Sequence, residues 1–127
     1  MIRLVRRKPT DAELAILRVL WTRGPSTVRE VAETLGRDTG YTTALKLLQI
    51  MTDKGLVSRD ESSRTHIYEA AFGEDETKRQ LVSDLLERAF NGSAASLVLH
   101  ALAANKASPA ELAEIRKMLD QKKAGAK

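Results

Sequence analysis

Apolar residues recur at helical spacing in three short stretches at the start of the chain. After Pro9-Thr10-Asp11-Ala12-Glu13, a stripe of Leu14, Leu17, Leu20 and Trp21 predicts a first helix, which Gly24-Pro25 ends. Thr10 followed three residues later by Glu13 reads as a capping box, in which each side chain satisfies the other residue's backbone N–H. Thr27 and Glu30 repeat that signal. Val28, Val31, Ala32 and Leu35 then form a second stripe that stops at Gly36. A third helix is predicted from Thr42 to Lys54, with Gly55 as its stop. Its apolar face is Ala44, Leu45, Leu48 and Met51; the other face carries Thr42, Thr43, Lys46, Gln49 and Asp53.

The period then changes. Leu56-Val57-Ser58-Arg59 and Thr65-His66-Ile67-Tyr68-Glu69 are short, with β-branched and aromatic residues, and the polar run Asp60-Glu61-Ser62-Ser63-Arg64 lies between them. This pattern predicts a β-hairpin with a charged tip. Three short helices followed by a hairpin is the order of a winged helix-turn-helix. The predicted fold class is mainly α with one small β-hairpin, a winged helix-turn-helix over residues 1–72 followed by a helical dimerisation region over 73–127.

The second region rests on its own stripes. Leu81, Val82, Leu85, Leu86, Ala89 and Phe90 line up before Asn91-Gly92-Ser93 breaks the helix. Ala94–Ala104 is apolar nearly all round, which calls for burial on most sides. Ser108-Pro109-Ala110-Glu111 is a third capping box with proline at the first helical position, followed by Leu112, Ile115, Met118 and Leu119. Two flanking helices of so short a chain cover the Ala94–Ala104 segment only in part, so pairing with a second copy is the economical solution. Leu81, Leu85, Leu97, Val98, Leu102, Leu112, Ile115 and Leu119 are the candidates for the homodimer core.

Composition narrows the function classes. The chain has 127 residues, a formal charge of +4 and no cysteine. Thiolate chemistry, iron–sulfur clusters and cysteine-based metal sites are excluded. Met1–Lys8 lacks the apolar run of a secretion signal, and no stretch is long enough to span a bilayer, so a cytoplasmic protein is expected. One Trp, two Tyr and two Phe are too few for a base-stacking surface on single strands. A mildly basic chain can still hold duplex DNA by its phosphates.

The polar face of the third helix carries the sharpest functional signal. Thr43 and Lys46 project from one side, Thr42 stands at the helix start, and Gln49 continues the face one turn on. Such a face reads either as a solvated surface or as the groove-reading side of a recognition helix; the neighbouring elements favour the second. Arg7 and Lys8, in a basic run with Arg6, read either as a solvated tail or as an arm on the DNA backbone. Arg59 and Arg64 sit at the hairpin, where a wing arginine can follow the backbone or enter the minor groove. Trp21 reads as core, Asp75 as a helix cap, and His66 and His100 lack ligand spacing. No catalytic, metal or cofactor constellation is present in the pattern, so neither an enzyme nor a cofactor is expected.

Pro9-Thr10-Asp11-Ala12-Glu13-Leu14 through Val19-Leu20-Trp21, Gly24-Pro25-Ser26-Thr27-Val28-Arg29-Glu30-Val31, Tyr41-Thr42-Thr43 and Asp53-Lys54-Gly55-Leu56-Val57 together resemble the BlaI/MecI penicillinase-repressor family. Ser96-Leu97-Val98-Leu99 and Ser108-Pro109-Ala110-Glu111-Leu112 extend the resemblance to about Lys122. It implies a dimeric winged-helix repressor on a palindromic double-stranded DNA operator, controlling β-lactamase or other stress-response genes. For β-lactam-responsive members it also implies a membrane sensor-protease that inactivates the repressor. Two positions depart from the family. Ile50 stands where many members carry a basic residue, and His100-Ala101 stands where inducible members carry an Asn-Phe cleavage pair. Without cysteine, copper sensing as in some relatives is excluded. The rival reading is a winged-helix protein-interaction module that does not bind DNA.

Overall fold

The computed structural model describes residues 8–36 and 39–125. Helices α1 (Asp11–Arg23), α2 (Val28–Leu35) and α3 (Tyr41–Lys54) precede strands β1 (Val57–Asp60) and β2 (Ile67–Ala70); α4 (Glu74–Ala89), α5 (Ala94–Ala104) and α6 (Pro109–Gly125) follow. The described chain divides into two compact units between Asp84 and Leu85, within α4.

The first unit forms as its local signals dictate. Thr10 and Thr27 each accept the N–H of the glutamate three residues on, and Glu13 and Glu30 return the bond, so both capping boxes close. Gly24 and Gly36 end α1 and α2 at φ +92° and +95°, with ψ near −167°, a conformation open in practice only to glycine. Ile16, Leu17 and Leu20 of α1 meet Val31 of α2 and Ala44, Leu48 and Met51 of α3 in one core, closed by Leu56, Val57 and Tyr68. Each large aliphatic side chain buried there contributes about 1.5–3 kcal/mol. Trp21 is half-buried at the edge of this core, and its Nε1–H donates to the Phe72 carbonyl at 3.0 Å.

The hairpin is antiparallel, with Val57 opposite Ala70 and Arg59 opposite Tyr68. Because opposed residues share a face and faces alternate, Val57, Arg59, Tyr68 and Ala70 turn inward while Ser58, Asp60 and Glu69 face solvent. A third extended piece, absent from the periodicity, joins them: Ser26 and Tyr68 exchange backbone bonds at 2.9 and 2.8 Å. This single bridge ties the α1–α2 turn to the wing.

The opening turns of α4 belong to the first unit. Thr77 is buried, and Lys8 Nζ donates to Asp84 Oδ2 at 2.8 Å. Asp75, expected as a cap, lies instead inside the first turn with Glu74 and Glu76 and pairs with Arg79 at 3.7 Å. The positive end of the helix dipole favours the three acids there.

In the second unit, Asn91 and Gly92 both take positive φ in the turn before α5, and Ser93 caps that helix on Ser96 N–H. The Ser108–Glu111 box closes on α6. Neither α5 nor α6 has a single buried residue, although α5 is apolar nearly all round. Leu99 is 67% exposed and Leu119 58%. Among the described residues no helix is long and apolar enough to cross a membrane.

Candidate nucleic-acid interface

Helix α3 divides cleanly along its length. Ala44, Leu48 and Met51 are fully buried, which fixes the rotation of the helix about its axis. Thr42, Thr43, Lys46 and Gln49 are consequently all exposed, as the sequence placed them. Gly40 precedes the helix without a side-chain cap, so among the described residues no side chain caps the first-turn N–H groups of α3. Short hydroxyls followed by a lysine and an amide make a surface of donors and acceptors suited to base edges and phosphates.

The wing brings a second set of groups to the start of this helix. A cleft of about 350 Å³ is lined by Thr27 and Arg29 of the α2 start, Tyr41 of the α3 start, and Arg64, Thr65 and His66 of the hairpin. Arg64 is exposed there and shares the cleft with Tyr41 and Leu45 of α3. Arg29 and Tyr41 were not singled out by the sequence. The Arg29 guanidinium lies 5.8 Å from the centroid of the Tyr41 ring, within cation–π reach, and that ring is 51% exposed.

The other basic candidates occupy different surroundings. Arg59 shares the inward face of the hairpin with Tyr68. Its hydrogen bond to the Tyr68 side chain, and then its bond from Nε to Glu61 Oε2 at 2.6 Å, hold the guanidinium above its usual range. Lys8 is held by Asp84. Arg7 lies outside the described residues. At the hairpin tip, Asp60 accepts the Ser62 N–H, which holds its carboxyl below the usual value. No group of His, Asp or Glu side chains among the described residues could hold a metal ion.

The eight apolar candidates for pairing also have a place. Leu81, Leu97 and Ile115 are half-buried, whereas Leu85, Val98, Leu102, Leu112 and Leu119 are exposed on the single chain.

Comparison with known proteins follows the same lines. Residues 9–121 match the family described as penicillinase repressor. The chain is 38% identical over 94 residues to the transcriptional regulator BlaI of Mycobacterium tuberculosis, covering 71% of this chain and 68% of that protein. It is 25% identical over 116 residues to the penicillinase repressor of Bacillus licheniformis, covering 90% and 91%. Among solved structures, YusO of Bacillus subtilis aligns with a TM-score of 0.52 at 16% identity, over 98% of this chain and 81% of that one. A transcriptional regulator of Thermotoga maritima aligns with a TM-score of 0.52 at 18% identity, over 97% and 80%. Both structures share the fold.

Proposed function

The chain belongs to the penicillinase repressor family and is a winged-helix transcriptional repressor, not an enzyme; from that premise we propose that it acts as a homodimer on a palindromic operator. Helix α3 of each protomer enters a major groove with Thr42, Thr43, Lys46 and Gln49, and Arg64 anchors the wing on the backbone. Repression then needs no chemistry: occupancy of the promoter suffices, and the chain works in the cytoplasm, where the DNA is.

The observation that carries this reading is the rotation of α3. Burial of Ala44, Leu48 and Met51 turns four polar side chains outward on one face, next to an arginine-bearing wing. A solvated face needs no such neighbour. The homodimer is supported by α5, whose apolar surface no residue of a single chain covers to the point of burial. A twofold pair of recognition helices implies inverted half-sites about one 10-bp turn, or a multiple, apart. The resemblance supports β-lactamase or stress-response genes as targets; it also brings in a membrane sensor-protease, but His100-Ala101 stands in place of the Asn-Phe pair that such inactivation cuts.

Fluorescence anisotropy on the duplex spanning the chain's own promoter, against a scrambled duplex, tests the reading. Promoter affinity should exceed scrambled affinity, and both should fall steeply with salt as counterions are released. Salt-independent or absent binding to both would leave the protein-interaction module as the better account.

A further inference from the structure

Cations of the first unit are unequally neutralised. Arg23 pairs with Glu30 at 3.4 Å and Arg59 with Glu61 at 2.6 Å. Arg29 and Arg64 have no carboxylate partner among the described residues, although Asp and Glu make up 17 residues of the chain. Both line the same cleft, one from α2 and one from the wing, with Tyr41 lining it from the start of α3. Two arginines lining one concave space put like charge around it, which an anion seated there would offset.

The Tyr41 ring adds a second observation. Arginine has several rotatable bonds, and ordering it on binding costs affinity. The Arg29 guanidinium lies 5.8 Å from the Tyr41 ring centroid, a cation–π contact that restricts it and lowers that cost. The ring is a platform for the arginine: it lines the cleft and is half exposed.

On the repressor reading above, we propose that this cleft seats a backbone phosphate of the DNA strand flanking the major groove, gripped by Arg29 and Arg64, and that Tyr41 is the positioning residue that holds Arg29 over it. Such a contact carries no base information. It sets the register in which Thr43 and Lys46 meet the bases.

Anisotropy titrations of the full chain across salt, on the promoter duplex and a scrambled duplex, test this. Each phosphate contact adds about 0.9 to the salt slope, so Arg29→Gln should lose part of that slope per occupied cleft, and Arg29→Gln with Arg64→Gln about 0.9. At 0.1 M salt that corresponds to about eightfold weaker binding per cleft, on both duplexes alike. Tyr41→Leu leaves the charge but removes the platform, and should also weaken both duplexes. Tyr41→Phe should recover most of that loss. In the Arg29→Gln background, Tyr41→Leu should cost nothing more; an equal cost in both backgrounds would show a purely structural tyrosine and overturn its role. Arg29→Gln with the wild-type slope overturns the phosphate seat. If Lys46→Ala still weakens the promoter duplex in that case, the repressor reading stands without it. A wild-type chain that binds neither duplex overturns both.

Discussion

Lys54, in the last turn of α3, donates to both carboxylate oxygens of Glu13, at 2.8 and 3.0 Å, across 41 residues of sequence. Glu13 Oε1 also accepts the Thr10 N–H at 2.9 Å. One carboxylate therefore closes the cap of α1 and anchors the far end of α3. Glu13 is 2% exposed, and a carboxylate so buried is tolerated only when paired and hydrogen-bonded. Lys54 in turn sits where the negative end of the α3 dipole favours a cation.

Breaking this link should destabilise the first unit beyond the loss of a cap. Glu13→Ala is expected to cost about 2–4 kcal/mol, more than the ~1 kcal/mol of an isolated capping residue, because the Lys54 ammonium is left beside apolar core. Glu13→Gln retains an acceptor for Thr10 and should cost less. Lys54→Ala strands the buried carboxylate and should approach Glu13→Ala. Urea unfolding of the variants and of the double variant measures this. Losses that simply add would mean the two side chains are not coupled.

The Glu13 pair shows what the sequence carries and what it does not. Thr10 and Glu13 are three residues apart, so the capping box is visible in the pattern; its partner in α3 is a product of packing. Ile16 and Val19, both buried, lie beside the stripe of Leu14, Leu17, Leu20 and Trp21 because α1 is covered on more than one side. The Ser26–Tyr68 bridge is one residue long and has no period to read. The exposed polar face of α3 was legible because the 3.6-residue repeat that buries Ala44, Leu48 and Met51 turns Thr42, Lys46 and Gln49 the other way. Arg29 was not, since the aromatic ring that orders it belongs to the next helix.

Specificity should separate from affinity along α3 and the wing. Lys46→Ala is expected to weaken promoter binding by about 1–3 kcal/mol with less effect on scrambled DNA, if its contact is to a base. Thr43→Ala should relax the preference at one position of each half-site. Arg64→Ala should weaken all duplexes alike and flatten the salt dependence. Binding selection on randomised duplexes measures all three. Wild-type behaviour of both Lys46→Ala and Thr43→Ala would remove α3 from the base-reading role.

Acid should loosen the start of α2 through Glu30. The Thr27 backbone N–H holds this carboxyl below its usual value, outweighing desolvation, with further help from the Arg23 charge and the Thr27 hydroxyl. The folded-state value lies below the unfolded one, so the stabilisation is complete above the ordinary carboxylate range and is lost as pH falls through the folded value. A carbon-detected NMR titration should therefore give Glu30 a lower midpoint in the folded chain than in urea. Arg23→Gln should raise that midpoint only partly, because the backbone bond is the larger cause. Equal folded and unfolded midpoints would mean that the carboxylate leaves its cap in solution.

Assembly is best probed at Leu99, which lies on α5 and is 67% exposed on the single chain. Leu97 shares the helix but is half-buried, so a charge there would also disturb packing within the protomer. Leu99→Asp should leave a monomer intact, because the aspartate can stay in water. Across a twofold interface it places an unpaired charge from each copy on an apolar surface, a cost well above that of an ordinary surface change. Sedimentation should then find the variant largely monomeric, with residues 1–72 still folded by circular dichroism and amide exchange. Operator affinity should fall at least tenfold, since linking two modest binding units raises avidity by ~10²–10⁴ without any new contact. A dimer with normal affinity would place the interface on another surface of α4, α5 or α6. A monomer with normal affinity would show that each winged helix holds its half-site unaided, and signals that separate the C-terminal helices would then leave the promoter occupied.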